Sequence, residues 1–260
     1  MNTISAKKVT SWQERLAANL SAVRGRIDQA CRRAGRDAAE VLLLPVTKYV
    51  DLDVVAELRR LGLTNLGENR VQQLVRRAEL CGRDAAGLLD PPAAAPRWHM
   101  IGHLQRNKVR ALLAACRIIH SLDSVRLADE ISNQAQRLSV TVDVLVEVNV
   151  AGEANKTGAQ PADATEICRR VTALPGIRLC GVMTMAPIGP DPQASRPMFR
   201  GLCEFFQALR RAERLPEWCR ELSMGMTQDY EVAVEEGATI VRIGSALFEG
   251  IFHDVVAEPA

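Results

Sequence analysis

The chain has 260 residues, of which 47% are hydrophobic, 25% are charged and 4% are aromatic, and its formal net charge at pH 7 is +2. This composition can furnish a full hydrophobic core and gives no sign of disorder. A nearly neutral chain with few aromatic side chains lacks the charge and the stacking surface that nucleic-acid binding requires, and the charge that favours membrane surfaces. We therefore expect no nucleic acid and no membrane among its partners.

The cysteines and the N-terminus indicate the compartment. The seven cysteines are scattered and never spaced as C-x-x-C, which is typical of reduced, mostly buried thiols in a cytosolic protein. The first residues, MNTISAKKVTSW, contain no apolar segment of the kind found in secretion signals. No run approaches the roughly 18 apolar residues needed to span a bilayer. The sequence predicts a soluble, cytoplasmic protein.

Eight apolar runs alternate with helical patterns along the chain. Near-continuous Val, Ile and Leu in these runs predicts parallel strands that are buried on both faces. Alternation of this kind leaves either a barrel or a doubly wound open sheet. Eight repeats, with no G-x-G-x-x-G after any run, favour an α/β fold of the TIM-barrel type, a single (β/α)8 domain over residues 1–260. The predicted strands are 41–48, 65–69, 97–102, 117–123, 142–150, 177–185, 221–226 and 239–248.

The segments between the strands carry helix signals. An amphipathic helix ahead of the first strand is predicted to close the bottom of the barrel. Ser124 is expected to cap another helix, Pro161 to open one that Pro175–Gly176 stops, and Ser195 with Pro197 to open a third. Residues 85–96, rich in Ala and Pro, are predicted to form a surface insertion. The predicted core faces are Trp12, Leu16, Leu20, Val23, Ile27 and Ala30; Val125, Ala128, Ile131, Ala135 and Leu138; and Phe199, Leu202, Phe206 and Leu209.

Lys48 is the last residue of the first predicted strand and directly follows the segment VLLLPVT. Active-site residues of barrels lie at the C-terminal ends of strands. A lysine there is partly desolvated, and desolvation favours the neutral, nucleophilic amine that forms a Schiff base with an aldehyde. The alternative is a side chain that extends past the strand end into solvent.

Two small-residue turns follow the last two strands. Loops at these positions are the usual phosphate site of a barrel, because their backbone N–H groups bind phosphate. The alternative is that the glycines only make tight connections. A barrel brings the first and eighth strands together, so a lysine and a phosphate site would face one cavity, and this combination suggests pyridoxal 5′-phosphate (PLP). The first turn contains Ser223, Met224, Gly225, Met226 and Thr227, and the second contains Gly244 and Ser245.

Three other side chains are candidates for the same pocket. Arg242 could donate a hydrogen bond to the pyridine nitrogen and keep it unprotonated, or form a salt bridge with Glu221. Glu68 and Asn69 follow a strand and could either contact the cofactor ring or cap the next helix. Asn69 is the preferred contact for the 3′-oxygen of the ring, because its amide can form that hydrogen bond. His99 and His103 are four residues apart, but their segment is predicted to be a strand that runs through Gly102 into a loop rather than a helix. No third ligand is indicated, so we expect no metal. His99 is instead expected to be a buried, hydrogen-bonded wall of the pocket.

Several segments, taken together, resemble the pyridoxal phosphate homeostasis proteins. They are LLLPVTK, LGENRVQQL, WHMIGHLQRNK, EVNVAGEANKTG, GVMTM, LSMGMTQDYEVAVEEGAT and VRIGSALF, in order across residues 41–248. The resemblance implies the PLP-binding barrel of the alanine racemase N-terminal domain. It implies that Lys48 holds the cofactor, that Asn69 and Arg242 contact the ring, and that Ser223–Met226 and Gly244–Ser245 bind the phosphate.

The sequence departs from the family pattern at several positions, and some matching residues have no assigned role. Thr47 stands where Ser is usual, Arg70 where Tyr is usual, and Glu249 interrupts an I-F-G ending. Lys108 and Lys156 match family positions, but their chemistry cannot be assigned.

Function follows from the resemblance as an expectation. We expect a protein that buffers PLP and delivers it to apo PLP-dependent enzymes rather than turning over a substrate, because the chain ends shortly after the eighth strand without a domain to supply the second base of a racemase. A monomer is expected. The rivals are a small PLP-dependent racemase or lyase, and a barrel that binds a phosphorylated sugar without a covalent cofactor.

Overall fold

The computed structural model describes residues 11–84, 95–150, 152, 157–187 and 189–251, and the strands form a parallel sheet curled into a barrel. All eight predicted strands are confirmed. Each is shorter than its apolar run, because the run continues into the loop at the C-terminal end of the strand. The strands are β1 (Leu42–Pro45), β2 (Asn65–Glu68), β3 (Arg97–Met100), β4 (Ile118–Leu122), β5 (Val142–Glu147), β6 (Ile177–Met183), β7 (Glu221–Ser223) and β8 (Ile240–Ile243).

Strand pairing confirms the (β/α)8 barrel. The order is β1-β8-β7-β6-β5-β4-β3-β2, with parallel pairing between all neighbours. The ring closes between β1 and β2 through a bridge from Val46 to Gly67, where the Thr47 amide donates to the Gly67 carbonyl at 2.9 Å. The carboxyl ends of all eight strands therefore meet at one end of the barrel, which is the end that carries function in this fold.

The helices follow the strands as predicted, with one addition. The eighth apolar run ends its strand at Ile243, and its last residues form a short helix. The helices are α1 (Trp12–Arg33), α2 (Leu52–Arg60), α3 (Val71–Asp84), α4 (Val109–Leu112), α5 (Val125–Arg137), α6 (Pro161–Ala173), α7 (Arg196–Ala212), α8 (Tyr230–Glu235) and α9 (Ser245–Phe248). No helix within the described ranges is long and apolar enough to cross a membrane.

Most helix details are confirmed. The Ser124 hydroxyl accepts from the Leu127 amide at the start of α5, and Pro161 occupies the first turn of α6. The predicted apolar face of α7 is fully buried. Leu138 is an exception: it lies beyond the end of α5 and is 42% exposed. Residues 85–94 of the predicted insertion lie outside the described residues.

The predicted position of the first helix is wrong. Its apolar face is buried as expected, but α1 packs against α8 and α9 on the outside of the barrel and does not close the bottom. Helices α8 and α9 have only six and four residues, so they leave apolar barrel surface for α1 to cover. The N-terminal end of the barrel consequently keeps an open cavity of about 780 Å³, lined by residues from the beginnings of the eight strands.

Candidate functional site

A cavity of about 290 Å³ lies at the carboxyl ends of β1 and β8. It is smaller than the cavity at the N-terminal end of the barrel, but it contains the residue types that the sequence singled out. Lys48, Met226, Arg242, Gly244 and Ser245 all line it. Its other walls are Val46, Tyr49, Pro187, Thr227, Gln228 and Asp229. Lysine, arginine and the small-residue turns are thus brought together, as predicted from strand order.

Lys48 is half-buried, in the loop after β1, with its Nζ 4.7 Å from the centre of the exposed Tyr49 ring. The loop is held from α3, whose side chains donate to three of its carbonyl groups. Gln73 donates to the Lys48 carbonyl at 2.9 Å, and Arg77 donates to those of Thr47 and Val50 at 2.8 and 2.6 Å. These bonds fix the backbone that carries the amine, while the amine itself faces the cavity.

Arg77 is itself held by a buried carboxylate. Its Nε lies 3.5 Å from Oε2 of Glu68, which is fully buried at the end of β2. Burial raises the pKa of Glu68, and the positive charge of Arg77 partly opposes that rise. The other carboxylate oxygen of Glu68 accepts from the Asn69 amide at 2.9 Å. The strand-end carboxylate therefore connects the Lys48 loop to the loop that carries Asn69.

Asn69 is half-buried near the site but does not line the cavity. The Asn69 backbone packs directly against Gly102. A Cβ atom added at Gly102 would overlap the Asn69 carbonyl. Gly102 is thus required for the close approach of the β2 and β3 loops. The position is compatible with a contact at the edge of the cavity, and the contact predicted from sequence stays a prediction.

The two turns meet as expected, and some of their amides are engaged in hydrogen bonds within the protein. The Thr227 hydroxyl accepts from the Ala246 amide at 3.4 Å, which ties the turn after β7 to the turn after β8. The Met226 amide donates to Asp229 Oδ1 at 2.7 Å, so in this arrangement it is occupied. Ser245 is exposed to the cavity, and Met224 is fully buried beneath the turn.

Two glycines shape the turns for different reasons. Gly225 has φ +89°, and a Cβ there would meet the Ala233 Cβ at 2.5 Å, so the fold itself demands glycine. Gly244 has φ −111°, and a Cβ there would meet only Val46, at an ordinary 3.7 Å. Packing therefore does not require glycine at 244, and the space that it leaves belongs to the cavity.

Arg242 is 3% exposed and points from β8 into the barrel mouth. It donates to Ser223 Oγ at 2.7 Å and to the Thr184 carbonyl at 2.9 Å. The alternative prediction, a salt bridge between Arg242 and Glu221, is wrong. Glu221 lies at the start of β7, and its carboxylate accepts from the Thr239 hydroxyl instead. Burial lowers the pKa of Arg242 to about 10, opposed by the charges of Glu147 and Asp229, so the guanidinium remains charged at neutral pH.

The predicted roles of Ser223 and His99 need correction. The Ser223 hydroxyl faces the barrel interior, between Arg242 and His120, and not the turn that was expected to bind phosphate. His99 is buried and hydrogen-bonded as predicted, but it lines the cavity at the opposite end of the barrel. The reason is its position: it lies within β3, ahead of the loop at the carboxyl end, so its side chain lies below the candidate site.

Four residues near the site were missed by sequence reasoning: Arg77, His120, Glu147 and Asp229. Glu147, at the end of β5, is 3% exposed and accepts from Thr157 at 2.6 Å; burial raises its pKa. Asp229 accepts hydrogen bonds from the Met226 amide and, at 3.0 Å, from the Ser195 hydroxyl. A polar residue within an apolar strand run, as in IIHSL, was the available signal for His120.

Comparisons with known proteins agree with this architecture. The alanine racemase N-terminal domain family matches residues 18–250. The pyridoxal phosphate homeostasis protein of Aquifex aeolicus is 43% identical over 229 residues, covering 88% of this chain and 95% of that protein. Its Homo sapiens counterpart is 35% identical, covering 88% and 84%. PipY of Synechococcus elongatus PCC7942, solved with PLP bound, is 27% identical, with a TM-score of 0.75 and coverage of 90% and 99%.

Identity and coverage of this extent, together with eight parallel strands and a helix before them, exceed what a shared fold alone would give. The chain therefore belongs to the pyridoxal phosphate homeostasis protein family, which is built on the alanine racemase N-terminal domain.

Proposed function

We propose that this protein binds PLP in the cavity beside β1 and β8 and serves PLP homeostasis, as a single barrel domain in the cytoplasm. The observation that carries the proposal is that Lys48, Arg242 and the Gly244–Ser245 turn line one cavity. An amine, a guanidinium and a turn with a hydroxyl match the aldehyde, ring nitrogen and phosphate of PLP. The relative that has been solved with PLP bound supports the same ligand.

Each residue has a separate task in this proposal. When bound, PLP would supply an aldehyde, and Lys48 is the residue whose amine would hold it. Gln73 and Arg77 keep the Lys48 backbone in place. Arg242 presents a charged donor toward the ring, and Gly244 and Ser245 leave room and donors for the phosphate. The exposed mouth beside Tyr49 leaves a path for the cofactor to enter and depart.

Homeostasis rather than turnover fits the ionisable groups of the cavity wall. Among the described residues that line it, these groups are Lys48, Tyr49, Asp229 and Arg242. Both oxygens of Asp229 accept hydrogen bonds, so this carboxylate is engaged in structure. Arginine beside the ring nitrogen keeps that nitrogen unprotonated and makes the ring a weak electron sink. The homeostasis names of the relatives support the same reading.

The test is a titration of the protein with PLP, followed by transfer of the bound PLP to an apo enzyme. We expect a visible absorption band at a one-to-one ratio, and recovery of activity when the loaded protein is mixed with an apo PLP-dependent enzyme. Incubation with each L- and D-amino acid in deuterated water should give little exchange at Cα. Exchange at about 1 s⁻¹ or faster for any amino acid would favour the racemase or lyase instead. A protein that stays colourless while binding a sugar phosphate would contradict PLP binding altogether. Light scattering of the PLP-loaded protein tests the expected monomeric state.

A further inference from the structure

A continuous chain of hydrogen bonds runs through the barrel interior below Arg242. Arg242 is 2.7 Å from Ser223 Oγ, which is 2.9 Å from Nδ1 of His120. Nε2 of His120 is 2.9 Å from Nδ1 of His99, whose Nε2 is 3.0 Å from Oδ1 of Asn65. Both imidazoles are buried, with 3% exposure at His99 and none at His120. The two rings meet edge to face, with centroids 5.1 Å apart.

The ends of the chain determine the direction of every bond in it. The Arg242 guanidinium can only donate, so Ser223 Oγ accepts from it and has its own hydrogen left to donate to His120 Nδ1. Asn65 Oδ1 can only accept, so His99 Nε2 must donate to it. His99 Nδ1 is then an acceptor for the N–H at His120 Nε2. With both rings neutral and protonated at Nε2, every donor in the chain meets one acceptor.

Neutral rings agree with the surroundings. Burial lowers the pKa of His99 to about 3, with a smaller effect of Arg97 in the same direction. Burial also lowers the pKa of His120 well below 6.5, assisted by His99 and Arg242. A protonated ring would have no acceptor nitrogen, so it would break the chain at the point where it became charged.

Resting on the proposed function, we propose that His120 and His99 are positioning residues that orient Ser223 and, through it, the face that Arg242 presents to the cofactor ring. Arg242 is held by two acceptors, Ser223 Oγ and the Thr184 carbonyl, which fix the plane of its guanidinium. The carbonyl is fixed by the backbone, whereas a serine hydroxyl rotates. An acceptor at His120 directs the hydroxyl hydrogen away from Arg242 and leaves an oxygen lone pair toward it.

The chain also gives the opposite end of the barrel a connection to the site. Asn65 and His99 line the cavity of about 780 Å³ at the N-terminal end. Asn65 therefore lies outside the PLP cavity but terminates the chain that orients Arg242. Replacing the acceptor of Asn65 should therefore change the binding of the cofactor and its absorption maximum, although no contact with the cofactor is lost.

The first experiment uses the protein without cofactor. Long-range ¹H–¹⁵N spectra of the imidazoles at pH 7 should show both His99 and His120 as neutral rings protonated at Nε2. A ring protonated at Nδ1, or a charged ring, would overturn the assigned direction and with it the proposed orientation of Ser223. Because no PLP is present, this result is independent of whether the proposed function is correct.

The second experiment measures PLP binding by absorbance in three variants. His120→Phe removes both hydrogen bonds of the ring, and we expect affinity to fall about three- to tenfold, the effect of one or two neutral hydrogen bonds, with a shifted visible maximum. His120→Gln can accept from Ser223 and donate to His99, so it should restore the wild-type maximum. Ile119→Ala is the control, because Ile119 is equally buried in β4 but points to the opposite face.

Asn65→Leu keeps the test decisive if His120→Phe does not fold. It should shift the maximum in the same direction from the far end of the chain. Wild-type affinity and an unchanged maximum in the folded His120→Phe or Asn65→Leu variant, with PLP bound normally by the wild type, would overturn the positioning role. Failure of the wild type itself to bind PLP would instead overturn the proposed function, and the role toward the cofactor with it.

Discussion

At the scale of single residues, the chemistry of the site depends on which side chains reach the cavity and which are used to hold it. Lys48, Arg242 and Ser245 reach the cavity. Arg77 and Asp229 are buried and use their charged atoms for neighbouring backbone and side-chain groups. Substitutions of Lys48 or Ser245 should change ligand binding with little effect on stability, whereas substitutions of Arg77 or Asp229 should change stability first. Substitution of Arg242 should affect both, because its guanidinium is buried and bonded to Ser223 and Thr184.

Lys48→Ala should abolish the visible band that PLP gives with the wild type, because the amine that holds the aldehyde is lost. Reduction of the loaded wild type with borohydride should place the pyridoxyl label on the Lys48 peptide, which mass spectrometry would identify. Lys108→Ala is a matched control, since it removes a half-buried lysine that does not line the cavity. Stoichiometric label on another lysine, with Lys48 unmodified, would contradict the assignment.

Ser245→Asp should weaken PLP binding by at least about tenfold, through repulsion between the new carboxylate and the phosphate. Ser245 is exposed to the cavity, so the fold should tolerate the change. Gln207→Glu adds the same charge at an exposed position of α7 and should leave the affinity unchanged. Equal affinities of the two variants, measured by titration, would place the phosphate elsewhere.

At the scale of elements, α3 is the support of the Lys48 loop. Arg77→Met would leave Glu68 buried without its counter-charge, the Val50 carbonyl without its Arg77 donor, and the Thr47 carbonyl with only the Val50 amide. Breaking a buried pair from one side costs about 3–5 kcal/mol, so the urea midpoint should fall accordingly. The double variant Glu68→Gln, Arg77→Met should recover part of the loss. A loss below about 1 kcal/mol for Arg77→Met would show that the loop does not depend on α3.

The elements also show what the sequence could and could not predict. Strand order followed from apolar runs, because parallel strands covered on both faces need continuous apolar residues. Lys48, Arg242 and the Gly244–Ser245 turn followed from strand ends. The direction of the Ser223 side chain did not, because a strand-end residue can face either the loop or the barrel interior. The position of α1 depended on the lengths of α8 and α9, which their short patterns did not define.

At the scale of the whole molecule, the barrel interior combines apolar and polar layers. Leu44, Leu145, Met183 and Ile240 form a small buried cluster inside it. The hydrogen-bonded chain from Arg242 to Asn65 crosses the same interior. Its two histidines make folding depend on pH, because both must be neutral in the folded protein and both become protonated in the unfolded chain near pH 6.5.

Between the unfolded pKa of about 6.5 and the folded value, which is about 3 for His99 and well below 6.5 for His120, the unfolded chain binds more protons than the folded protein. The stabilisation from neutral histidines is therefore complete above pH 6.5 and is lost progressively as the pH falls toward 3. The raised pKa values of Glu68 and Glu147 act in the opposite direction, since these carboxyl groups bind protons more readily when folded.

Comparing wild type with a His99→Gln, His120→Gln variant isolates the histidine contribution, because the glutamates are present in both proteins. From pH 6.5 to 5.5 the wild type should lose about 2 kcal/mol more unfolding free energy than the variant, since each histidine contributes up to about 1.4 kcal/mol per pH unit. Urea unfolding at the two pH values measures the difference. Parallel losses in the two proteins would mean that the histidines are already charged in the fold, or that they keep a proton-binding affinity close to that of the unfolded chain. Proton uptake on unfolding, measured by calorimetry in buffers of different ionisation enthalpy, should be larger for the wild type than for the variant, because only the wild type carries the two buried histidines.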